Sequence, residues 1–205
     1  MYFVSWYDAI VFCNKLSMSE GLSPAYRISG STDPAVWIAA NGGSVPTSNK
    51  AAWNAVEIVA DSAGYRLPTE AQWEYAAKGG DPLAPGWIGY TYSGSDTVDD
   101  VAWYVGNDDI VSGNDYGISK AVRTKAPNKL GIYDMSGNVY EWCWDWYEEY
   151  TSEAVNDPTG AVSSDYRVMR GGNWFYSAYS IRSVSRGACE PYGRGLDFGI
   201  RLVRP

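Results

Sequence analysis

The chain has 205 residues, no histidine, three cysteines and a net charge of −8. The acidic balance lacks the basic footprint of a nucleic-acid binder. The absence of histidine rules out His-based proton transfer, His-held iron or zinc and Ser-His-Asp chemistry, and no run of about 18 apolar residues is present to form a transmembrane segment.

Ser5 is placed to cap a helix over residues 6–16, where Ala9, Phe12, Cys13 and Leu16 recur at helical spacing before Gly21 and Pro24 end it. Residues 25–28 form a short strand candidate. Residues 29–49 are turn-rich, with apolar patches at 35–40 and at Val45, and residues 54–59 form a second, weaker strand. Thr69 caps a second helix with Gln72 as its capping-box partner. Trp73, Ala76 and Ala77 are its buried stripe, and Gly79 ends it. Residues 81–130 read mostly as loop, anchored by Trp87, Trp103 and Tyr104. An aromatic strand follows, with Trp142, Trp144 and Trp146 at alternate positions. The turn Asp157-Pro158-Thr159-Gly160 then precedes the last unit without marking a domain boundary.

That last unit opens on Arg170-Gly171-Gly172-Asn173-Trp174, with Met169 and Trp174 as core anchors, and closes on an apolar strand carrying Ile200, Leu202 and Val203. Between them, residues 175–198 have no period and are broken by Gly187, Pro191, Gly193 and Gly195, so they read as loop. Tyr176, Tyr179 and Tyr192 among Ser and Gly give this loop the composition of an antibody paratope: Tyr offers wide contact area at low entropy cost, and Ser and Gly adapt. An ordinary Gly-rich surface loop is the alternative. Cys13 and Cys143 sit in apolar contexts as small core residues, and Cys189 lies in the loop. The absence of C-x-x-C argues against a zinc knuckle or thioredoxin-type site.

Three blocks in order, residues 64–80, 131–146, and 170–174 with 198–201, together with the helix at 6–16, resemble the formylglycine-generating-enzyme (sulfatase-modifying factor) family. The resemblance implies an α+β, C-type-lectin-like fold with two helices, small antiparallel sheets and abundant loop, as a single domain over residues 1–205. Fold does not fix activity. The family's oxidases use a copper-binding Cys pair shortly after the Arg-Gly-Gly-x-Trp motif, whereas residues 175–181 here contain no cysteine. Its thiol-histidine-synthesising relatives bind iron through three histidines, and none is available.

The chain is also similar to the variable proteins of diversity-generating retroelements, which display a C-terminal region altered by adenine-specific mutagenesis. Randomising the adenines of AAC never yields Lys, Glu, Gln, Met or Trp. Those five types supply 29 of residues 1–174, and only Glu190 among residues 175–198. The resemblance therefore implies a non-catalytic display protein whose variable region is residues 173–201. Its predicted ligand-binding surface comprises Phe175, Tyr176, Ser177, Ser180, Ile181, Ser185, Gly187, Ala188, Cys189, Tyr192, Gly193, Gly195, Leu196 and Asp197. Arg182, Arg186, Arg194 and Arg201 are expected to tie loop carbonyls and carboxylates into place.

By the same resemblance, Asp134 and Glu141 would give side-chain oxygens, and Gly137 and Val139 backbone carbonyls, to a structural Ca²⁺; hard oxygen ligands suit that ion. A local cap-and-turn network is the alternative for this block. The expected partner is a protein or another surface ligand. A leader upstream of Met1, lipid-anchored at the cell surface, is expected. The competing readings are an oxidase of the family and a non-catalytic partner of sulfatases.

Overall fold

Both predicted helix caps form in the structure, a computed structural model that describes residues 2–107, 119–152 and 158–205. Ser5 Oγ accepts the Asp8 amide at 3.0 Å and the Asp8 carboxylate accepts the Ser5 amide at 2.9 Å, which starts α1 at Trp6–Ser19. Strand β1, Tyr26–Arg27, pairs antiparallel with β2, Glu57–Ile58. Between them lie two short helices, α2 at Pro34–Ala40 and α3 at Ala51–Asn54. The reading of residues 29–49 as turns missed α2, although its signals are present. Asp33 caps it through the Ala35 amide at 2.8 Å, and Pro34 sits at the first helical position, where no amide is needed. Helix α4, Glu70–Ala77, begins on the predicted Thr69/Gln72 capping box.

The predicted loop at 81–130 carries a further short helix, α5, at Val98–Val101. Residues 108–118 of that segment, and Asp157 of the predicted turn, lie outside the described residues. Strand β3, Tyr140–Trp146, is the aromatic strand. It pairs antiparallel with β4, Arg167–Arg170, which pairs antiparallel with β5, Arg186–Cys189. On the other side of β3, β6 at Phe198–Ile200 runs parallel to it, giving the order β5-β4-β3-β6. The segment expected to be wholly loop thus contributes an edge strand and a 3-10 turn at Ala178–Ile181. The α+β architecture is as expected, with three short helices added to the two predicted ones among the described residues.

Strand β3 is central and buried on both faces. One main cluster gathers Trp6, Trp37, Trp53 and Trp142; a second holds Trp73, Met135, Cys143 and Val168. The indoles also anchor through their N–H groups: Trp6 donates to the Cys143 carbonyl and Trp142 to the Val4 carbonyl, each at 2.9 Å. Removing such an indole costs about 3–5 kcal/mol, so the tryptophans fix how β3 sits in the core. The Arg167 guanidinium lies 3.7 Å from the Trp6 ring centre and 3.4 Å from that of Trp146. Burial pushes it down to about 9, still well above neutral pH, and the indole faces favour the cation.

Candidate functional site

The C-terminal segment is fastened by arginines, three of them to carboxylates supplied by α1 and α4. Arg170, fully buried at the end of β4, reaches Glu74 at 2.6 Å and Glu70 at 3.3 Å. It also donates to the carbonyls of Ser183 and Ser185. Arg186 of β5 grips the Glu70 carboxylate at 2.6 and 2.7 Å and donates to the Glu148 carbonyl at 2.8 Å. Arg194 makes a two-point contact with Asp8 at 2.7 and 2.9 Å. Burial alone would raise the Asp8 carboxyl, but Arg194 and Ser5 together hold it below its ordinary value. Arg182 donates to the Tyr179 carbonyl at 2.9 Å and lies over the Tyr179 ring. These contacts match the scaffold role expected for the arginines: a planar fork satisfies two acceptors and holds both in place.

Two glycines set the approach. Gly171 and Gly172 have φ of 89° and 70°, a region costly for other residues, and a Cβ on Gly172 would lie 2.6 Å from the Ile181 side chain. The chain then turns outward. Asn173 takes the Phe175 amide at 3.0 Å and donates to the Asp197 carboxylate at 2.5 Å, while the Asp197 carbonyl accepts the Tyr140 amide at 2.8 Å.

The predicted surface residues divide into three groups. Phe175, at 59% exposure, Tyr176, Ser177, Ala188 and Leu196 are exposed. Ser180, Ser185, Gly187, Cys189, Tyr192, Gly193, Gly195 and Asp197 are half-buried. Ile181 is fully buried and packs with Val101 and Ala102, so its assignment to the surface is corrected: it is a core residue. Several of the half-buried residues are also committed. Cys189 and Tyr192 pack against the main core cluster, and Asp197 is held by Asn173. A Cβ on Gly187 would meet the Tyr140 ring at 2.8 Å, and one on Gly193 would meet Cys189 Sγ at 2.6 Å.

Sequence reasoning left three residues out of this surface. Tyr179 is 72% exposed, more than Phe175, Tyr176 or Leu196, and Val184 is also exposed. Tyr140 lies beneath the surface with its ring edge-on to both Tyr176 and Phe198. Burial, with Tyr176 and Asp197 nearby, pushes its phenol up to about 12. The Tyr-Ser-Gly composition was a signal for Tyr179. Nothing in the sequence places Tyr140 under Tyr176.

The block expected to hold calcium is arranged differently. The Glu141 carboxylate is taken by Arg201 in two contacts of 2.8 Å and by the Trp73 indole at 2.7 Å. Arg201 also donates to the Tyr133 carbonyl at 2.9 Å, and the Asp134 carboxylate accepts the Arg123 amide at 2.8 Å. Gly137 and Val139 offer only backbone carbonyls, and Glu141 already has a guanidinium where a cation would sit. In this arrangement the four residues do not fit Ca²⁺, and Arg201 supplies the positive charge. Among the described residues no cluster of three or more Asp, Glu or Cys side chains is disposed to hold a metal.

The entire chain, residues 1–205, matches the sulfatase-modifying factor enzyme 1-like domain. The chain belongs to the sulfatase-modifying factor family. Among solved structures, this family member is similar to Treponema denticola variable protein 1, with a TM-score of 0.81 and 36% identity, covering 100% of this chain and 71% of that one. It is 37% identical to the chaperone protein LppX of Paenibacillus barcinonensis over 98% of this chain and 68% of that protein. It is 36% identical to the formylglycine-generating enzyme of Streptomyces coelicolor over 74% of this chain, spanning half of that enzyme's length. The family member described here lacks the oxidase's paired thiols. Its three cysteines are free, and burial pushes Cys13 up to about 12, Cys189 to about 11 and Cys143 well above its ordinary value. Such thiols are poor sources of thiolate.

Proposed function

We propose that this chain is a non-catalytic binding protein that presents Phe175, Tyr176, Tyr179, Val184, Ala188 and Leu196 to a macromolecular ligand. The observation that carries this reading is the pairing of exposed aromatic side chains with a backbone fastened from below by Arg170, Arg186 and Arg194. A fixed backbone lowers the ordering cost of binding, leaving side chains to determine affinity. The similarity to Treponema denticola variable protein 1 supports the further reading that these positions are diversified by a retroelement. Display at the cell surface, through an anchor upstream of the residues described, accords with that reading. An oxidase of the family would need two neighbouring thiolates, and residues 175–181 provide none.

Sequencing the gene from many isolates tests the proposal. Differences should concentrate at the exposed positions of residues 175–197 and avoid Ile181, Gly187 and Gly193. Substitutions spread evenly along the chain, or found freely at those three positions, would overturn it.

A further inference from the structure

A cleft of about 670 Å³ opens between α4, the end of β3 with the residues that follow it, and Arg186 of β5. The exposed rings of Tyr75 and Tyr150 and the half-buried Trp146 line it, and its lining is mostly apolar. Five carboxylates face two cations there. The three inner ones have partners: Glu70 has Arg170 and Arg186, Glu74 has Arg170 and Lys78, and the buried Asp145 accepts the Glu70 amide. At the exposed rim, Glu149 accepts only the Tyr147 hydroxyl, at 2.9 Å, and the Glu148 carboxylate has no partner among the described residues.

The wall also shows which cation its tyrosines accept. The Arg186 guanidinium lies 3.9 Å from the Tyr150 ring centre and 4.6 Å from that of Tyr147. A planar guanidinium is weakly hydrated and pairs with a carboxylate edge while stacking on an aromatic face. We propose that this cleft binds an arginine side chain of a basic peptide segment, stacked on Tyr75 and paired with Glu148 and Glu149. The proposal goes beyond the display surface, since none of the six side chains assigned to that surface lines the cleft.

Fluorescence anisotropy with a dye-labelled acetyl-Gly-Arg-Gly-Arg-Gly amide tests it, alongside the same peptide carrying citrulline, which keeps the shape and loses the charge. The arginine peptide should bind at least about tenfold more tightly than the citrulline one, and Glu148→Gln with Glu149→Gln should remove about tenfold of that affinity. Both glutamates are exposed, so the double variant should melt with the wild type. Tyr75→Ala should weaken binding, whereas Phe175→Ala with Tyr179→Ala should leave it unchanged. Equal binding of the citrulline peptide, an unchanged affinity in the glutamine variant, or loss of binding in the Phe175/Tyr179 variant would each overturn the assignment. The last of these would move the peptide to the display surface and leave that separate reading standing.

Discussion

The floor and the rim of the C-terminal region are built from the same stretch of chain by opposite rules. On the floor, Arg170, Ile181 and Trp174 are buried, Arg170 and Arg186 tie the chain to α4, and Arg194 ties it to α1. On the rim, Phe175, Tyr176, Tyr179 and Leu196 face solvent, though the backbone of the first three is held. The contrast teaches that irregular backbone need not be loose backbone. A segment with little regular structure can be stiff when charged forks and short polar side chains satisfy its carbonyls and amides, because each such contact replaces a ladder hydrogen bond.

The comparison can be broken at the floor first. Arg170→Ala should have the largest effect, a loss of about 3–5 kcal/mol, because it empties a fully buried guanidinium site, leaves the Ser183 and Ser185 carbonyls without their donor, and leaves Glu70 and Glu74 with only Arg186 and Lys78; urea unfolding measures it. Ile181→Ala should cost about 2–4 kcal/mol through the cavity it opens against Val101 and Ala102. A loss below about 1 kcal/mol would return Ile181 to the surface.

Asp145 sharpens the contrast through pH. Burial pushes its carboxyl up to about 6, against the acceptor bond it makes with the Glu70 amide at 2.7 Å. The folded chain therefore holds a proton between about pH 4 and pH 6 that the unfolded chain has released. Its contribution is fully present below about pH 4 and is lost as the pH rises through about 6, a change on the order of 2–3 kcal/mol. Asp145→Asn keeps an acceptor and removes the titration, so urea midpoints of wild type and variant should diverge across that window. Parallel curves would refute the assignment.

At the rim, Phe175→Ala with Tyr179→Ala should change stability by no more than about 0.5 kcal/mol while abolishing capture of a target selected on the wild type. The smallest effect belongs to the Glu141 block. With Arg201 holding Glu141, addition of a calcium chelator should leave the melting temperature unchanged, and a fall of several degrees would reinstate the ion.

The parts of this fold legible in sequence were those with local causes. Ser5 and Thr69 announce their helices because a cap acts over three residues, and the alternating tryptophans announce β3 because pleat has period two. Helix α2 was hidden by the Gly, Ser and Asn around it, although Asp33 and Pro34 signal its start. The site was legible as a region but not residue by residue. Ile181 reads as a loop residue until α5, which covers it, is known, and Glu141 reads as a metal ligand until Arg201 is brought beside it. Distant pairing of this kind leaves no periodic trace.

The parallel placement of β6 beside β3 carries one more consequence. The strand that completes the sheet is encoded downstream of residues 175–197, and Arg201 follows directly after it. A frameshift anywhere in residues 175–197 therefore erases one of the two partners of the central strand and the clasp on Glu141 together. Such a product has no finished sheet, so an intact reading frame through residues 175–197 is a condition for folding as well as for presenting that surface.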